Sequence, residues 1–285
     1  MPTGRNLLRE AELLLKGSDA IEHPHSGKEL ADALDLLEFA AGHMLDLDEE
    51  VPPAQLRRFR QLVGRRAAGE PGAYLTGETT FKGLKLRLGR GAFIPRESSE
   101  FLAEQATRRL RRRSQPVHVD LATGVGPVAL AVAHAIPRAR VFGVDLSPRP
   151  VTMARKNAHR LEIDNATFLR GDLFTPLPKS LRRGVDVITI HPPYVGLEEV
   201  NALPHEILRF EPEEALTDFS ATGLGLLERV AGEASTWLRR GGWLLVEVSP
   251  DRARSVATVM RRAGFRDVRS TKGPVPVSRV VVGRL

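Results

Sequence analysis

The sequence contains no cysteine, only 5% aromatic residues and no long hydrophobic run. Without cysteine, disulfides, thiol nucleophiles and thiolate metal sites are excluded, and a reducing compartment such as the cytoplasm is expected. No stretch approaches the roughly 20 consecutive apolar residues that a membrane-spanning helix needs. Residues 1–16 mix Arg, Glu and Leu, so we expect no signal peptide and no membrane contact.

The composition is otherwise that of a globular protein with an excess of positive charge. At 285 residues the chain is long for a single core, which favours two domains. It carries 42 Lys and Arg against 35 Asp and Glu, a net charge of +7. Arginines cluster at positions 108–113, which is typical of a solvated helix end but also of a surface that faces nucleic acid or the ribosome.

Helical spacing of apolar residues predicts a small all-helical domain over residues 1–75. Gly17 is expected to end its first helix, and Pro52 and Pro53 to open its third. A polar loop is expected at residues 23–26. No carboxylate or further histidine stands at ligand spacing from His23, His25 and His43, so no metal site is predicted.

Residues 76–97 are interpreted as a hairpin and linker, because apolar and basic residues alternate up to Leu88. A helix is expected to follow from about Ser98, whose side chain would cap it. From residue 98 to 285, strands, glycine turns and helices alternate. This order predicts an α/β domain, a mostly parallel sheet with helices on both faces. Its last strand, at residues 277–282, is expected at the edge.

The turn after the first strand of this sheet indicates a nucleotide pocket. Gly124 and Gly126 allow a sharp turn and a close approach to a ligand. The turn has Ala129 where a dinucleotide fingerprint has its third glycine, and it lacks the lysine of a phosphate-binding loop. A nucleoside that carries a sulfonium is therefore favoured over a pyrophosphate.

Acidic residues occur at the ends of three successive strands. Asp145 is placed to accept hydrogen bonds from ribose hydroxyls, and Asp172 to accept one from an exocyclic amine. Asp120 precedes the glycine turn. Leu173 and Phe174 would cover a purine ring. The alternative is a sheet turn that needs glycine, with surface aspartates that bind nothing. Three successive strand ends that each carry an aspartate argue against it.

A second site is indicated where the apolar strand at residues 186–190 ends abruptly in His191-Pro192-Pro193-Tyr194. Proline has no N–H for a sheet ladder, so the strand must stop there. In open α/β sheets, ligands bind just beyond the carboxyl ends of strands. The alternative is a simple proline turn.

These motifs, in this order, resemble the class I S-adenosylmethionine-dependent methyltransferases. More narrowly, the chain resembles the HemK-type family, which methylates a glutamine side-chain amide in peptide release factors. The resemblance covers nearly the whole chain. It rests on the segments at residues 74–78, 81–84, 93–96, 119–126, 144–148, 171–174, 192–194 and 209–212.

The resemblance implies S-adenosylmethionine as cofactor and a protein substrate, either a release factor or a ribosome-associated protein. The helical N-terminal domain would recognise that substrate. The implied catalytic residues are His191, Pro192 and Tyr194, and the substrate would be held by these with Pro193 and Arg96. The implied cofactor-binding residues are Asp120, Ala122, Thr123, Gly124, Gly126, Asp145, Leu146, Asp172, Leu173, Phe174 and His191.

Three positions depart from the family pattern. Ala122 replaces a turn glycine, which is a mild change if its φ is negative, and Glu97 replaces a proline. His191 replaces the asparagine of Asn-Pro-Pro-Tyr. Neutral histidine has one donor and one acceptor on opposite sides of its ring, so it cannot copy the paired amide contact. It could accept one N–H, with the Pro192 carbonyl accepting another, or act as a general base.

Two other functions stay open at this point. Related Asn/Asp/Ser-Pro-Pro-aromatic sequences occur in enzymes that methylate the amino groups of RNA or DNA bases, and the arginine cluster would suit such a substrate. A binding protein that kept the fold and the cofactor but lost catalysis is the other alternative.

Overall fold

The computed structural model describes residues 1–22 and 27–285, and these form two compact units. The first consists of Met1–Glu78 with Asn201–Glu211, and the second of Thr79–Val200 with Pro212–Leu285. The expected loop at residues 23–26, with two of the three histidines, lies outside the described residues. Within the described ranges, no helix is both long and apolar enough to cross a membrane. The same ranges contain no cluster of three or more side chains suited to a metal ion.

The first unit is helical, as the apolar spacing predicts. Its core consists of the inward faces of the first three helices, with Phe59 and Leu36 fully buried. The Thr3 side chain accepts a hydrogen bond from the Asn6 N–H at 3.4 Å and caps the first helix, which Gly17 ends. The helices are α1 (Gly4–Lys16), α2 (Lys28–Ala41), α3 (Pro53–Ala67), α4 (Gly72–Thr76) and α8 (His205–Phe210).

A buried arginine joins α8 to the other helices of this unit. Arg66 is 1% exposed and pairs with Asp32 at 2.7 Å and with Glu206 at 3.2 Å. A buried guanidinium is tolerated only when it is paired, so these contacts hold the distant segment 201–211 in the helical unit. The sequence pattern did not indicate this return of the chain.

The second unit begins with a hairpin and a helix. Strands β1 (Glu78–Phe81) and β2 (Leu84–Arg87) pair with each other, as the alternation predicts. Helix α5 covers Ser99–Leu110. The prediction that Ser98 caps α5 is wrong, because Ser98 already has helical φ and ψ of −56° and −32° and its side chain makes no capping bond. The first N–H groups are instead satisfied by turn carbonyls, for example Ser99 N–H by Arg96.

A seven-stranded sheet in the order β5-β4-β3-β6-β7-β9-β8 forms the centre of this unit. The first five strands in this order are parallel, and β9 runs antiparallel to β7 and β8. The strands are β3 (Val117–Leu121), β4 (Arg140–Asp145), β5 (Ala166–Arg170), β6 (Val185–Ile190), β7 (Leu238–Val248), β8 (Arg266–Lys272) and β9 (Arg279–Arg284).

Helices cover both faces of the sheet, as predicted. Helices α5, α6 (Pro127–Ala135) and α7 (Pro148–Arg160) pack on one face, and α9 (Gly225–Trp237) and α10 (Ala253–Arg262) on the other. Successive residues of β6 alternate between the two cores, with Val187 in one and Ile188 in the other. This burial on both faces explains the continuous apolar run of the strand.

The predicted edge position of the last strand is wrong. β9 lies between β7 and β8, and β8 is the edge strand. β8 has the sequence Arg-Asp-Val-Arg-Ser-Thr-Lys and is largely exposed, so it carries no hydrophobic signal. Charged side chains on an edge strand are a common protection against unwanted pairing.

Candidate active site

A cavity of about 290 Å³ lies at the carboxyl ends of the parallel strands. The register places Leu121 of β3 beside Val144 of β4 and Ile190 of β6, so the residues that follow these strands meet. Asp145 and His191 both line this one cavity. The tertiary structure thus joins the two sites that the sequence indicated separately.

The glycine turn has the backbone shape that the sequence predicts, with one exception. Gly124 and Gly126 have φ values of +57° and +88°, and a Cβ on Gly126 would lie 2.9 Å from the Phe168 ring. Ala122, however, has a φ of +49°. The replacement of the family's glycine by Ala122 is therefore not a mild change, because a residue with a Cβ is strained in the left-handed region.

We expect Ala122→Gly to stabilise the protein by about 0.5–1 kcal/mol, because the relief of strain exceeds the added entropy of the unfolded chain. Chemical denaturation measures this difference. Ala31→Gly, at an exposed position within α2, serves as the control and should be destabilising. A less stable Ala122→Gly variant would contradict the strain at this turn.

Asp145 is held in place by the backbone around it. Its carboxylate accepts hydrogen bonds from Gly124 N–H at 2.8 Å and from Ser147 N–H at 2.9 Å. Burial raises the pKa of Asp145, while these two N–H groups act in the opposite direction. Leu146, the next residue, also lines the cavity and is 65% exposed, so its side chain is available to a ligand.

Asp120 is fully buried and belongs to a chain of polar side chains. It accepts hydrogen bonds from the hydroxyls of Thr123 and Thr189, each at 2.6 Å. His118 Nε2 lies 2.8 Å from the Thr189 hydroxyl and donates to it, since that hydroxyl donates to Asp120. Burial lowers the pKa of His118 to about 3, so this ring stays neutral.

Burial also raises the pKa of Asp120 to about 6, above its ordinary value of 3.8. The Asp120 carboxyl therefore loses its proton at a lower pH in the unfolded chain than in the folded protein. The contribution of Asp120 to stability accordingly falls as the pH rises from about 4 to about 6. A ligand with positive charge near Asp120 would offset this cost.

The third acidic strand end differs from expectation. Asp172 lines the cavity, but its carboxylate lies 2.5 Å from Arg229 of α9. Leu173 lines the cavity with a strained φ of +47°. The expectation that Phe174 covers a purine ring is wrong, because it is 1% exposed and stacks on Trp237 in the core, with ring centroids 5.7 Å apart.

His191 is surrounded on several sides. Its Nδ1 lies 3.2 Å from Ser99 Oγ and 3.8 Å from Glu247 Oε2. Phe93 contacts the ring edge-on and Tyr194 stacks on it, with centroids 5.7 Å and 5.8 Å away. The contacts of Nδ1 leave Nε2 as the ring nitrogen that can meet a substrate.

Glu247 lies on β7 and is fully buried. Neither of its carboxylate oxygens has a hydrogen-bond partner among the described residues. A buried carboxylate without partners is strongly unfavourable, and the adjacent imidazole is the group that can relieve it. An Nδ1–H directed at Glu247 and Ser99 would hold the ring in the tautomer whose Nε2 accepts a proton.

The remaining residues of the predicted substrate site lie near His191. Pro192, Pro193 and Arg96 line the cavity, and the Arg96 guanidinium lies 4.4 Å from the Phe93 ring. Tyr194, one of the implied catalytic residues, stacks on the imidazole. Burial, followed by the nearby Glu247, raises the pKa of Tyr194, so its phenol keeps its proton at neutral pH.

Sequence analysis missed Ser99 and Glu247. Glu247 had a readable signal, because it is a charged residue within the apolar run Trp-Leu-Leu-Val-Glu-Val. Ser99 had none, since a serine at the start of a helix is ordinary. Its role depends on α5 lying beside the end of β6.

Carboxylates outnumber cations around the cavity, which favours a ligand with positive charge. This distribution fits a sulfonium nucleoside with an amino group, and it disfavours a pyrophosphate. The carboxylates are Asp120, Asp145, Asp172, Glu214 and Asp218, and the cations are Arg96 and Arg229.

Comparison with known proteins agrees with this geometry. Residues 113–259 match the methyltransferase domain family, and residues 6–77 match the PrmC N-terminal domain. A solved 16S rRNA N2 G1207 methyltransferase from T. thermophilus shares the fold, with a TM-score of 0.53 and 19% identity. The match covers 73% of this chain and 49% of that one. The parallel sheet, the cavity at its carboxyl ends and the domain match define the chain as a methyltransferase.

Two curated relatives are similar over most of their length. The protein from Bordetella pertussis is 39% identical over 237 residues, which is 83% of this chain and 86% of that protein. The protein from Geobacter sulfurreducens is 34% identical over 244 residues, covering 86% and 84%. Both carry the name release factor glutamine methyltransferase. The chain belongs to the family of release factor glutamine methyltransferases.

Proposed function

We propose that this protein transfers the methyl group of S-adenosylmethionine to the side-chain amide nitrogen of a glutamine in a peptide release factor. The names of its relatives support this substrate. The observation that carries the proposal is that Asp145 and His191, at the ends of different strands, line one acidic cavity. The helical unit, whose residues 6–77 match the PrmC N-terminal domain, would recognise the release factor. The predicted cytoplasmic location agrees with such a partner.

The residues at the glycine turn fit S-adenosylmethionine. Asp145 would bind the ribose hydroxyls, and Asp120 would lie near the positively charged part of the cofactor. Gly124 lines the cavity, and a Cβ on it would meet no atom within 4 Å, so the turn leaves open space for a ligand there. Gly126 shapes the turn, where a Cβ would meet the Phe168 ring at 2.9 Å. Leu146 and Leu173 would contact the adenine, with Asp172 near its amine. When bound, the cofactor supplies an electrophilic methyl group on a sulfonium, which becomes a neutral thioether after transfer.

His191 and Pro192 would hold the substrate amide. An amide nitrogen is a poor nucleophile because its lone pair is delocalised, so orientation and loss of the proton must help it. In this proposal the Pro192 carbonyl accepts one amide N–H and His191 Nε2 accepts the other. As the bond between the amide nitrogen and the methyl carbon forms, the amide N–H proton passes to Nε2. The methylated amide is left neutral, and the positive charge that the sulfonium loses appears on the imidazolium.

Glu247 and Ser99 would act through His191. With the Nδ1 proton directed at Glu247, the imidazolium formed by proton transfer is stabilised by a carboxylate 3.8 Å away. Glu247 is thus a positioning residue. Tyr194 fixes the orientation of the imidazole by stacking on it. Burial raises the pKa of the Tyr194 phenol, so this group keeps its proton at neutral pH and is not a base.

A transfer assay tests the proposed function. The full-length protein is incubated with radiolabelled S-adenosylmethionine and a purified release factor, and mass spectrometry locates the methyl group. We expect one added methyl on a glutamine side chain. Transfer to a nucleobase in RNA or DNA, and none to the release factor, would identify the base methyltransferase instead. Cofactor binding without transfer to any substrate would identify a binding protein.

We expect Asp145→Asn to weaken S-adenosylmethionine binding by about 10- to 100-fold, because hydrogen bonds to a charged acceptor contribute about 1.5–3 kcal/mol. Calorimetry measures the dissociation constant. The exposed Asp164 lies in the turn before β5, so Asp164→Asn is the matched control and should bind normally. Equal affinity for the two variants would remove Asp145 from the cofactor site.

A further inference from the structure

A second charged feature of the sheet unit lies at the amino ends of its parallel strands. We define it as the arginine surface, formed by Arg108, Arg109, Arg266, Arg269 and Arg284. It lies at the opposite ends of the strands from the cavity. The two are separated by about 17 Å, the length of the six residues of β6 at 3.3 Å per residue. The proposed methyl transfer therefore uses none of these residues.

Trp243 on β7 brings several of these arginines together. The Arg109 guanidinium lies 4.6 Å from the centre of the Trp243 ring, and that of Arg284 lies 5.8 Å from it. Arg284 pairs in register with Trp243 on one side and with Arg266 on the other. The last turn of α5 and three strands thus contribute to one surface.

Among the described residues, no carboxylate forms an ion pair with the arginines of this surface. Burial and repulsion from Arg108 and Arg269 lower the pKa of Arg109 to about 10. The nearby carboxylate of Asp186 is already paired with Arg239 and lies 3.6 Å from Arg113. Mutual repulsion between guanidinium groups costs free energy, and a bound polyanion would reverse that cost.

We propose that the arginine surface binds the phosphate backbone of RNA. Its cations are all arginine, whose planar guanidinium makes paired hydrogen bonds to phosphate and stacks on flat rings. Four of the five side chains are exposed and Arg109 is half-buried. Contacts of this type neutralise phosphates without reading bases, so binding depends little on sequence.

The same surface is poorly suited to a lipid bilayer. Proteins that bind a membrane surface add apolar side chains that enter the acyl region. In the part of the chain that the structure describes, none of the large exposed hydrophobic side chains belongs to α5, β7, β8 or β9. With no apolar side chains to enter a membrane, this surface is suited to electrostatic attraction by the phosphates of RNA.

Fluorescence anisotropy with a labelled 20-nucleotide RNA of mixed sequence tests this proposal. The variant Arg108→Glu/Arg266→Glu/Arg269→Glu changes three exposed residues of the surface. The control, Arg9→Glu/Arg57→Glu/Lys156→Glu, changes net charge equally at exposed positions elsewhere. We expect wild-type affinity to fall with salt. The surface variant should bind at least 10-fold more weakly, with a salt slope smaller by about 2, since each lost phosphate contact removes about 0.7 for single strands.

Three results would overturn the proposal. The control could weaken RNA binding as much as the surface variant, which would assign the effect to net charge alone. Polyglutamate could compete as well as unlabelled RNA, which would indicate an acidic protein partner. Phosphatidylglycerol vesicles could bind where RNA does not, which would indicate a membrane.

The proposed methyl transfer is tested separately on the same proteins. We expect the surface variant to methylate a free release factor at the wild-type rate, because its three positions lie away from the cavity. Bound RNA should carry no new methyl group. If the surface variant loses RNA binding but still transfers the methyl group, the proposal of an RNA-binding arginine surface is supported. If the wild type transfers no methyl group, only the proposed function is contradicted.

Discussion

His191→Ala is expected to lower kcat for methyl transfer by about 100- to 10,000-fold, the range that a positioned general base contributes. The variant loses both the acceptor for one amide N–H and the group that takes the proton. S-adenosylmethionine binding should change far less, because Asp145 and the glycine turn are unaltered. Single-turnover kinetics with the release factor, together with calorimetry for the cofactor, separate the two effects.

Two further variants define the role of the ring. His159→Ala removes an exposed histidine near the end of α7 and should keep full activity. His191→Asn should transfer faster than His191→Ala, because asparagine offers the substrate amide a donor and an acceptor. An alanine variant as fast as the wild type would remove His191 from the reaction.

Glu247→Gln is expected to lower kcat by about 10-fold or more, a part of what the general base supplies. The neutral side chain no longer favours an Nδ1–H, and it no longer stabilises the imidazolium. The KM for the release factor and the affinity for S-adenosylmethionine should change far less than kcat, because in the proposed site Glu247 acts only through His191. Steady-state kinetics, with calorimetry for the cofactor, measure this selective loss of kcat, which a purely structural role would not produce.

The same substitution should raise the thermal stability of the protein. Glu247 is a fully buried carboxylate without hydrogen-bond partners in the described residues, and a neutral amide is less costly to bury. We expect a melting temperature about 2 °C or more higher, as about 1 kcal/mol gives in a protein of this size. Glu228→Gln, exposed on α9, is the control and should change neither property. A variant that is less stable and that loses kcat, substrate affinity and cofactor affinity together would make Glu247 structural.

A more stable but slower Glu247→Gln variant would show that the chain keeps an unfavourable charge for the sake of its reaction. Asp120 is a second case, since burial raises its pKa to about 6 and its ionised form costs stability. Both carboxylates lie beside the place where positive charge resides or develops in the proposed transfer. Ala122, strained at a φ of +49°, adds a backbone cost at the same cavity.

Local patterns were sufficient for most of the elements. The apolar run of β6 and the helical spacing in the first unit follow from burial on two faces and on one face, respectively. Where the burial pattern was weak, prediction failed. β8 is an exposed edge strand and left no hydrophobic signal, so β9 was placed at the edge in its stead.

Side-chain direction was the other source of error. Asp172, Leu173 and Phe174 are adjacent in sequence, yet the first two line the cavity and Phe174 stacks on Trp237 in the core. Ser98 was expected to cap α5, whereas its neighbour Ser99 contacts His191. One residue of difference reverses such an assignment, because it rotates the side chain to another face of the helix or turn.

The sequence by itself determined the fold class, the turn that needs glycine, and the acidic and proline-rich strand ends, because each depends on residues close together in the chain. Only the tertiary structure decided that Asp145 and His191 share a cavity and that Glu247 lies behind the imidazole. These contacts join residues from different strands, and their distances depend on sheet order and register. No local pattern encodes that order, since it results from how all the strands and helices pack together.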